Sequence, residues 1–321
     1  MAKKDQAKES SSKQDSQAKV SRPTRRVCHT MASYFEMVER FPEIHRKQAE
    51  LAGFTRTYMQ SGRVAERTGI FTIPIVVHVV YRTDEENISD EQIMSQIEVL
   101  NQDFQSTNPD LNNVPDAFKN YIGNPRIRFQ LVDKDPNGGA TNGITRTKTD
   151  ETSFIYYGNP VKFSETGGVD AWDTREHLNI WVCTLGGSLL GYAQFPDGGP
   201  RETDGVVILN TAFGTTGTAS APYDKGRTAT HEVGHYLGLK HIWGEEREDT
   251  CSDSDDIDDT PNQFGPNYGT PTYPSPSCNN TSDMFMNYMD YVDDEAMFMF
   301  TKQQVAKMSA ILEGPRRSLV S

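Results

Sequence analysis

Apolar side chains recur along this chain with several periods, and each period predicts an element. Over residues 31–60, Tyr34, Phe35, Val38, Phe41 and Ile44 fall on one face of an amphipathic helix. The polar linker QSGRVAERTG follows. Thr72 to Tyr81 (TIPIVVHVVY) is continuous and β-branched, which predicts a strand buried on both faces. Ser89 and Gln92 form a capping box that opens a helix through about Phe104, with Ile93, Ile97 and Leu100 inward. Arg126 to Val132 alternates and predicts a half-exposed strand, whereas His177 to Thr184 and Gly205 to Leu209 read as buried ones. Leu189 to Phe195 suits an edge strand, because Gly191 and the following Pro196 fit an edge better than a centre.

Further helices are expected over 227–240 and over Thr301 to Leu312, the latter with a capping box of Thr301 and Gln304. Residues 242–283 are mostly loop, too long for an idle connection. Strands and helices alternate early; helix and loop dominate late. The expected class is therefore mixed α/β (α+β), a twisted, mostly parallel sheet with helices and an irregular C-terminal part, with a cleft between.

Composition narrows the function. The chain has 321 residues and a net charge of −13, but residues 1–30 hold eight Lys/Arg against three Asp/Glu, so the remainder carries −18. An acidic body argues against a nucleic-acid partner. The longest apolar run, Ile73 to Val80, is far short of the roughly 20 residues that span a bilayer, so no membrane association is expected. The first twenty residues are polar, predict disorder and lack the apolar middle of a signal peptide. Of four cysteines, Cys251 and Cys278 bracket a loop rich in Asp, Pro, Asn and Gly, a favourable place for a disulfide. Cys183 reads as a buried thiol in an apolar strand.

The chemistry concentrates in residues 231–241, His-Glu-Val-Gly-His-Tyr-Leu-Gly-Leu-Lys-His. His231 and His235 are one helical turn apart and can share a zinc ion. Glu232 lies where a carboxylate can take a proton from an activated water. Gly238 lets the chain leave the helix, so that His241 can return as third ligand. Three imidazoles leave a fourth position open, which marks a catalytic rather than a structural site. Glu245 to Asp259 holds nine carboxylates and one Arg, a density that needs either solvation or a cation such as calcium.

This arrangement resembles the extended zinc sequence of the metzincin metallopeptidases. Met286 to Tyr291 resembles their methionine turn, with Met289 lying 48 residues past His241. TIPIVVHVVY, LNIWVC, LLGYAQFP, DGVVI, Asp259-Thr260-Pro261 and NYMDY resemble, within that clan, the pappalysin family over roughly residues 65–315. The resemblance implies a zinc-dependent endopeptidase acting on proteins or peptides, monomeric, working outside the cell or in its envelope. It further implies that Tyr291 stabilises the oxyanion. Leu190, Gly191 and Tyr192 would lie on the strand that pairs with extended substrate. Cys251 and Cys278 would be disulfide-bonded. One or two structural calcium ions would be held by Asp255 and Thr260 foremost, with Asp253, Asp256, Asp258 and Glu246 beside them. Asp294 would select Arg just after the scissile bond.

Cys28 resembles the family's pro-segment cysteine, which can fill the open zinc position; His29 stands where the family more often has Gly. The implied organisation is a pro-segment over 1–62 and a catalytic domain over 63–321, subdivided near residue 238. Self-cleavage is expected at Gly62–Arg63 or Glu66–Arg67, and Arg25, Arg26 and zinc itself are expected to lower the Cys28 pKa. The alternative is a non-catalytic binding module that retains zinc.

Overall fold

A computed structural model describes residues 23–62, 68–244 and 250–320. Two helices come first, α1 (Thr30–Arg40) and α2 (Glu43–Gln60). The sequence pattern suggested one helix here. The break falls at Phe41, whose backbone is non-helical (φ −134°, ψ 78°). Pro42 drives Phe41 out of the helical region and offers no N–H to continue the ladder.

Eight strands follow in chain order: β1 (Phe71–Tyr81), β2 (Ile122–Gly123), β3 (Ile127–Leu131), β4 (Ile144–Lys148), β5 (Leu178–Cys183), β6 (Gly191–Ala193), β7 (Val206–Leu209) and β8 (Phe300–Thr301). The main sheet runs β3-β1-β5-β7-β6, with β4 pairing the second half of β1. All its pairings are parallel except β6 on β7, which is antiparallel. The central strands are covered on both faces, so β1 and β5 read as unbroken apolar runs. Ile73, Ile75, Val77 and Val79 face one core, while Val80 faces a second, smaller one with Trp181 and Tyr192.

Three helices position the site. In α3 (Asp90–Asp103) the Ser89 side chain accepts from Gln92 N–H, which is half of the expected capping box; the Gln92 side chain donates instead to Asn210 O and Phe213 O. Helix α4 (Arg227–Tyr236) packs against β6, β7 and α3. Helix α5 (Lys302–Glu313) carries the complete Thr301–Gln304 box and packs against α2. The antiparallel pair β2–β8 ties the C-terminal part to the sheet domain. Cys251 and Cys278 are disulfide-bonded, and Cys183 is a buried free thiol. Among the described residues no helix is long and apolar enough to cross a membrane. The N-terminal twenty residues, the Arg63 and Arg67 cleavage points and Glu246 lie outside the described residues.

Candidate active site

Helix α4 carries His231 and His235 one turn apart and ends at Tyr236, one residue after His235. Gly238 then adopts φ 88°, a left-handed conformation that an L side chain resists, and a Cβ there would lie 3.0 Å from Ile311 Cγ1. The turn returns His241 to the other two imidazoles. His235 Nε2 lies 3.1 Å from Nε2 of both His231 and His241. His231 Nδ1 bonds the Tyr288 carbonyl and His235 Nδ1 the Leu239 carbonyl, each at 2.7 Å. A carbonyl only accepts, so both Nδ1 atoms carry the proton and both Nε2 atoms present lone pairs.

Lone pairs this close repel unless a cation lies between them. Burial holds the His231 pKa well below its ordinary value and that of His241 at about 3, so both rings stay neutral ligands. Cys28 Sγ completes the group: its ligand atom and those of the three histidines all lie within 4.8 Å of one another, and all four residues are buried. An N₃S set of this compactness fits tetrahedral zinc. Among the described residues no other group of three His, Cys, Asp or Glu converges so closely.

Glu232 stands beside this centre, fully buried, with its pKa raised to about 7 by burial. Its Oε2 accepts from the Thr30 hydroxyl (3.0 Å) and lies 3.4 Å from Cys28 Sγ. Gly191 allows the close approach of β6: a Cβ there would lie 2.9 Å from Glu232 Cγ. Met289 is buried against the helix, where a Cβ on Gly234 would run into its sulfur, and its carbonyl accepts from Ile242 N–H. Tyr291 packs edge-on against His241 at 4.9 Å, and its hydroxyl bonds both the N–H (3.3 Å) and the carbonyl (3.2 Å) of Cys28.

The N-terminal segment lies along the edge of β6 in the parallel sense. Leu190 N–H donates to Val27 O (3.0 Å), His29 N–H to Gly191 O (3.3 Å) and Ala193 N–H to the Thr30 hydroxyl (2.8 Å). These bonds use Leu190, Gly191 and Ala193 and skip Tyr192 between them. Strand alternation explains the skip: Tyr192 pairs with Val207 across β6–β7, and its side chain is buried in the second core. The expectation for Cys28 needs correction. Its thiol pKa is raised, first by burial and then by Glu232, while Arg26 turns to Asp294.

Arg26 occupies the pocket of Asp294. Both side chains are fully buried, with Nη2 2.5 Å from Oδ1. Nε donates to Val292 O and Nη1 to Thr228 Oγ1, both at 3.1 Å, and the guanidinium lies over the Tyr223 ring. The other Asp294 oxygen accepts from the backbone N–H groups of Lys225 and Arg227. Sequence reasoning identified Asp294 but missed Arg26, Thr228 and Tyr223 as its surroundings. The dibasic pair two residues before a metal-seeking cysteine was the available signal for Arg26.

In the acidic loop, Asp255 and Thr260 come together: both Asp255 oxygens accept from the Thr260 hydroxyl, at 2.9 and 3.0 Å. Burial raises the Asp255 pKa, which marks a carboxylate short of positive charge. Asp256 pairs with Lys240 instead (2.8 Å), and Asp258 is exposed, its N–H donating to Gln303. Asp253 lines a cavity of about 1130 Å³ between α1, α2 and α5, away from the histidines.

A family model described as Peptidase_M43, Pregnancy-associated plasma protein-A, matches residues 164–313. The chain is 30% identical over 264 residues to Extracellular metalloprotease 1 of Coccidioides posadasii (strain C735), covering 78% of this chain and 80% of that one. Among solved structures, a promirolysin mutant from Tannerella forsythia superposes with a TM-score of 0.85 at 47% identity, covering 92% of this chain and 97% of that one. Mature mirolysin from Tannerella forsythia, in complex with a cleaved peptide, superposes with a TM-score of 0.77 at 53% identity, covering 79% and 97%.

Proposed function

This chain belongs to the pappalysin family of metzincin zinc metallopeptidases, and from that premise we propose that it is a latent endopeptidase that cuts before arginine and activates itself. The observation that carries the reading is the joint placement of Cys28 among the three histidines and Arg26 on Asp294. One short segment thereby fills the metal's open position and the charged pocket together. Residues 1–62 form the pro-segment in this reading, and 63–321 the enzyme.

The substrate replaces residues 26–30 and pairs with the backbone of Leu190, Gly191 and Ala193. Its arginine enters the Asp294 pocket, where a buried carboxylate selects a guanidinium by charge and by bidentate geometry. Zinc, held by His231, His235 and His241, supplies Lewis acidity at the scissile carbonyl. Glu232, with its pKa near 7, accepts a proton from the attacking water and passes it to the leaving amine. Tyr291, freed from Cys28, turns its hydroxyl to the developing oxyanion.

Latency follows from direction as well as from occupancy. Outward from the metal, the pro-segment reads Cys28 then Arg26, toward its N-terminus. A substrate with arginine after its scissile bond reads toward its C-terminus, so the pro-segment presents its peptide bonds reversed. Calcium at Asp255 and Thr260 would neutralise the buried carboxylate and brace the disulfide-closed loop. Action outside the cell agrees with that disulfide and with the extracellular relatives.

The test is the intact mass of the full chain and of Glu232→Ala after incubation with zinc and calcium. The wild type is expected to shorten to a species beginning at Arg63 or Arg67, and the variant to stay whole. Both chains remaining full length would sink self-activation.

A further inference from the structure

Beyond the Asp294 pocket the N-terminal segment makes a second contact. The Arg25 guanidinium lies 5.6 Å from the ring centroid of Tyr268. Tyr268 is 41% exposed, yet its backbone neighbours are clamped on both sides. Asn267 donates to Asp290 through its N–H (2.8 Å) and its side-chain amide (3.0 Å). Gly269 O accepts from Asp293 N–H at 2.9 Å. These anchors fix Tyr268 to the strap that carries Tyr291 and Asp294, and its ring lies 6.1 Å from that of Tyr291. A large aromatic held out in solvent on a rigid strap serves recognition better than packing.

We propose that Tyr268 is a specificity-determining residue, forming a subsite that favours a basic side chain in the substrate position just after the arginine. This rests on reading Asp294 as the pocket for the residue after the scissile bond. Outward from the metal the order is Cys28, Arg26, Arg25, so the next substrate residue passes where Arg25 lies. The ring face attracts Arg or Lys through its quadrupole. Asp293 and Glu295, flanking Asp294, add negative potential that repels an acidic side chain.

The test uses the full chain after self-processing with zinc and calcium. Peptides keep arginine after the cut and vary the next residue among Arg, Lys, Ala and Glu. The expected kcat/KM for Arg exceeds that for Ala about two- to fivefold, with Glu below Ala. Tyr268→Leu abolishes this ratio and Tyr268→Phe keeps it. Equal rates for Arg and Ala in the wild type, or an unchanged ratio in Tyr268→Leu, would overturn the subsite. Indifference to the first arginine would overturn the pocket reading instead. A second readout needs no turnover: in the Glu232→Ala full chain, amide exchange over residues 27–30 should quicken about two- to fivefold with Tyr268→Leu but not Tyr268→Phe. Unchanged exchange in Tyr268→Leu would remove the contact on which the subsite rests.

Discussion

The hydroxyl of Thr30 donates to Glu232 Oε2 across 3.0 Å and accepts from the N–H of Ala193 across 2.8 Å. One oxygen of the N-terminal segment thus engages both the candidate general base and the edge strand. It adds a hold on the cleft besides Cys28 at the metal position and Arg26 on Asp294. A hydrogen bond to a charged group is worth about 1.5–3 kcal/mol. Thr30→Val keeps the shape and loses both bonds, so self-processing should start roughly tenfold sooner or more. Thr30→Ser should behave as wild type. The half-time for loss of the full-length mass decides it; equal half-times for Val and Thr would leave the hydroxyl no part in latency.

Asp294 should decide substrate choice. Asp294→Asn keeps an acceptor for the Lys225 and Arg227 N–H groups but removes the charge. Truncating one partner of a buried, hydrogen-bonded ion pair costs about 2–5 kcal/mol, so kcat/KM for arginine peptides should fall at least 30-fold. Peptides with a neutral residue at that position should change little. A uniform loss across both sets would mean that the substitution damaged the fold rather than the choice.

The legible parts were those whose signal is local. His231, His235, Gly238 and His241 act within one helix and one turn, so their spacing stands for geometry. The N-cap at Ser89, the capping box at Thr301 and the doubly buried β1 are local as well. Arg26 on Asp294 joins residues 268 positions apart, and Thr30 on Glu232 joins residues 202 apart. Nothing in a basic tail says which acid it will reach. The break at Phe41 was a local signal outweighed by the apolar period on either side of Pro42.

Metal removal should cost stability as well as activity. The three imidazoles lose their shared partner without zinc, and their desolvation is then uncompensated. A ligand at a thousand times its Kd stabilises by about 4 kcal/mol. For a chain of this size that is roughly 6 °C in Tm. Calorimetry of the Glu232→Ala full chain, with zinc and after chelation, should show this shift. His235→Ala should abolish it, and the half-buried His177→Ala should not. A Tm indifferent to zinc in the parent chain would count against the site.

Lys162 should give stability an unusual slope with pH. Its ammonium is buried behind β6, donating to Thr203 O at 2.6 Å and lying 5.2 and 5.1 Å from the Trp181 and Tyr192 ring centroids. Burial pushes its pKa down to about 7, against a partial pull upward from Asp204. Unfolded lysine titrates near 10.4, so between about pH 7 and 10 the unfolded chain binds more protons than the folded one. Stability from this group therefore rises with pH across that window and is flat below it, where both states are charged. The slope can reach at most about 1.4 kcal/mol per pH unit. Lys162→Met removes it, and the thiols of Cys28 and Cys183, common to both chains, cancel in the difference. Denaturant midpoints at pH 7, 8 and 9 should show the variant's advantage shrinking as pH rises; parallel curves would mean that Lys162 keeps its proton on folding.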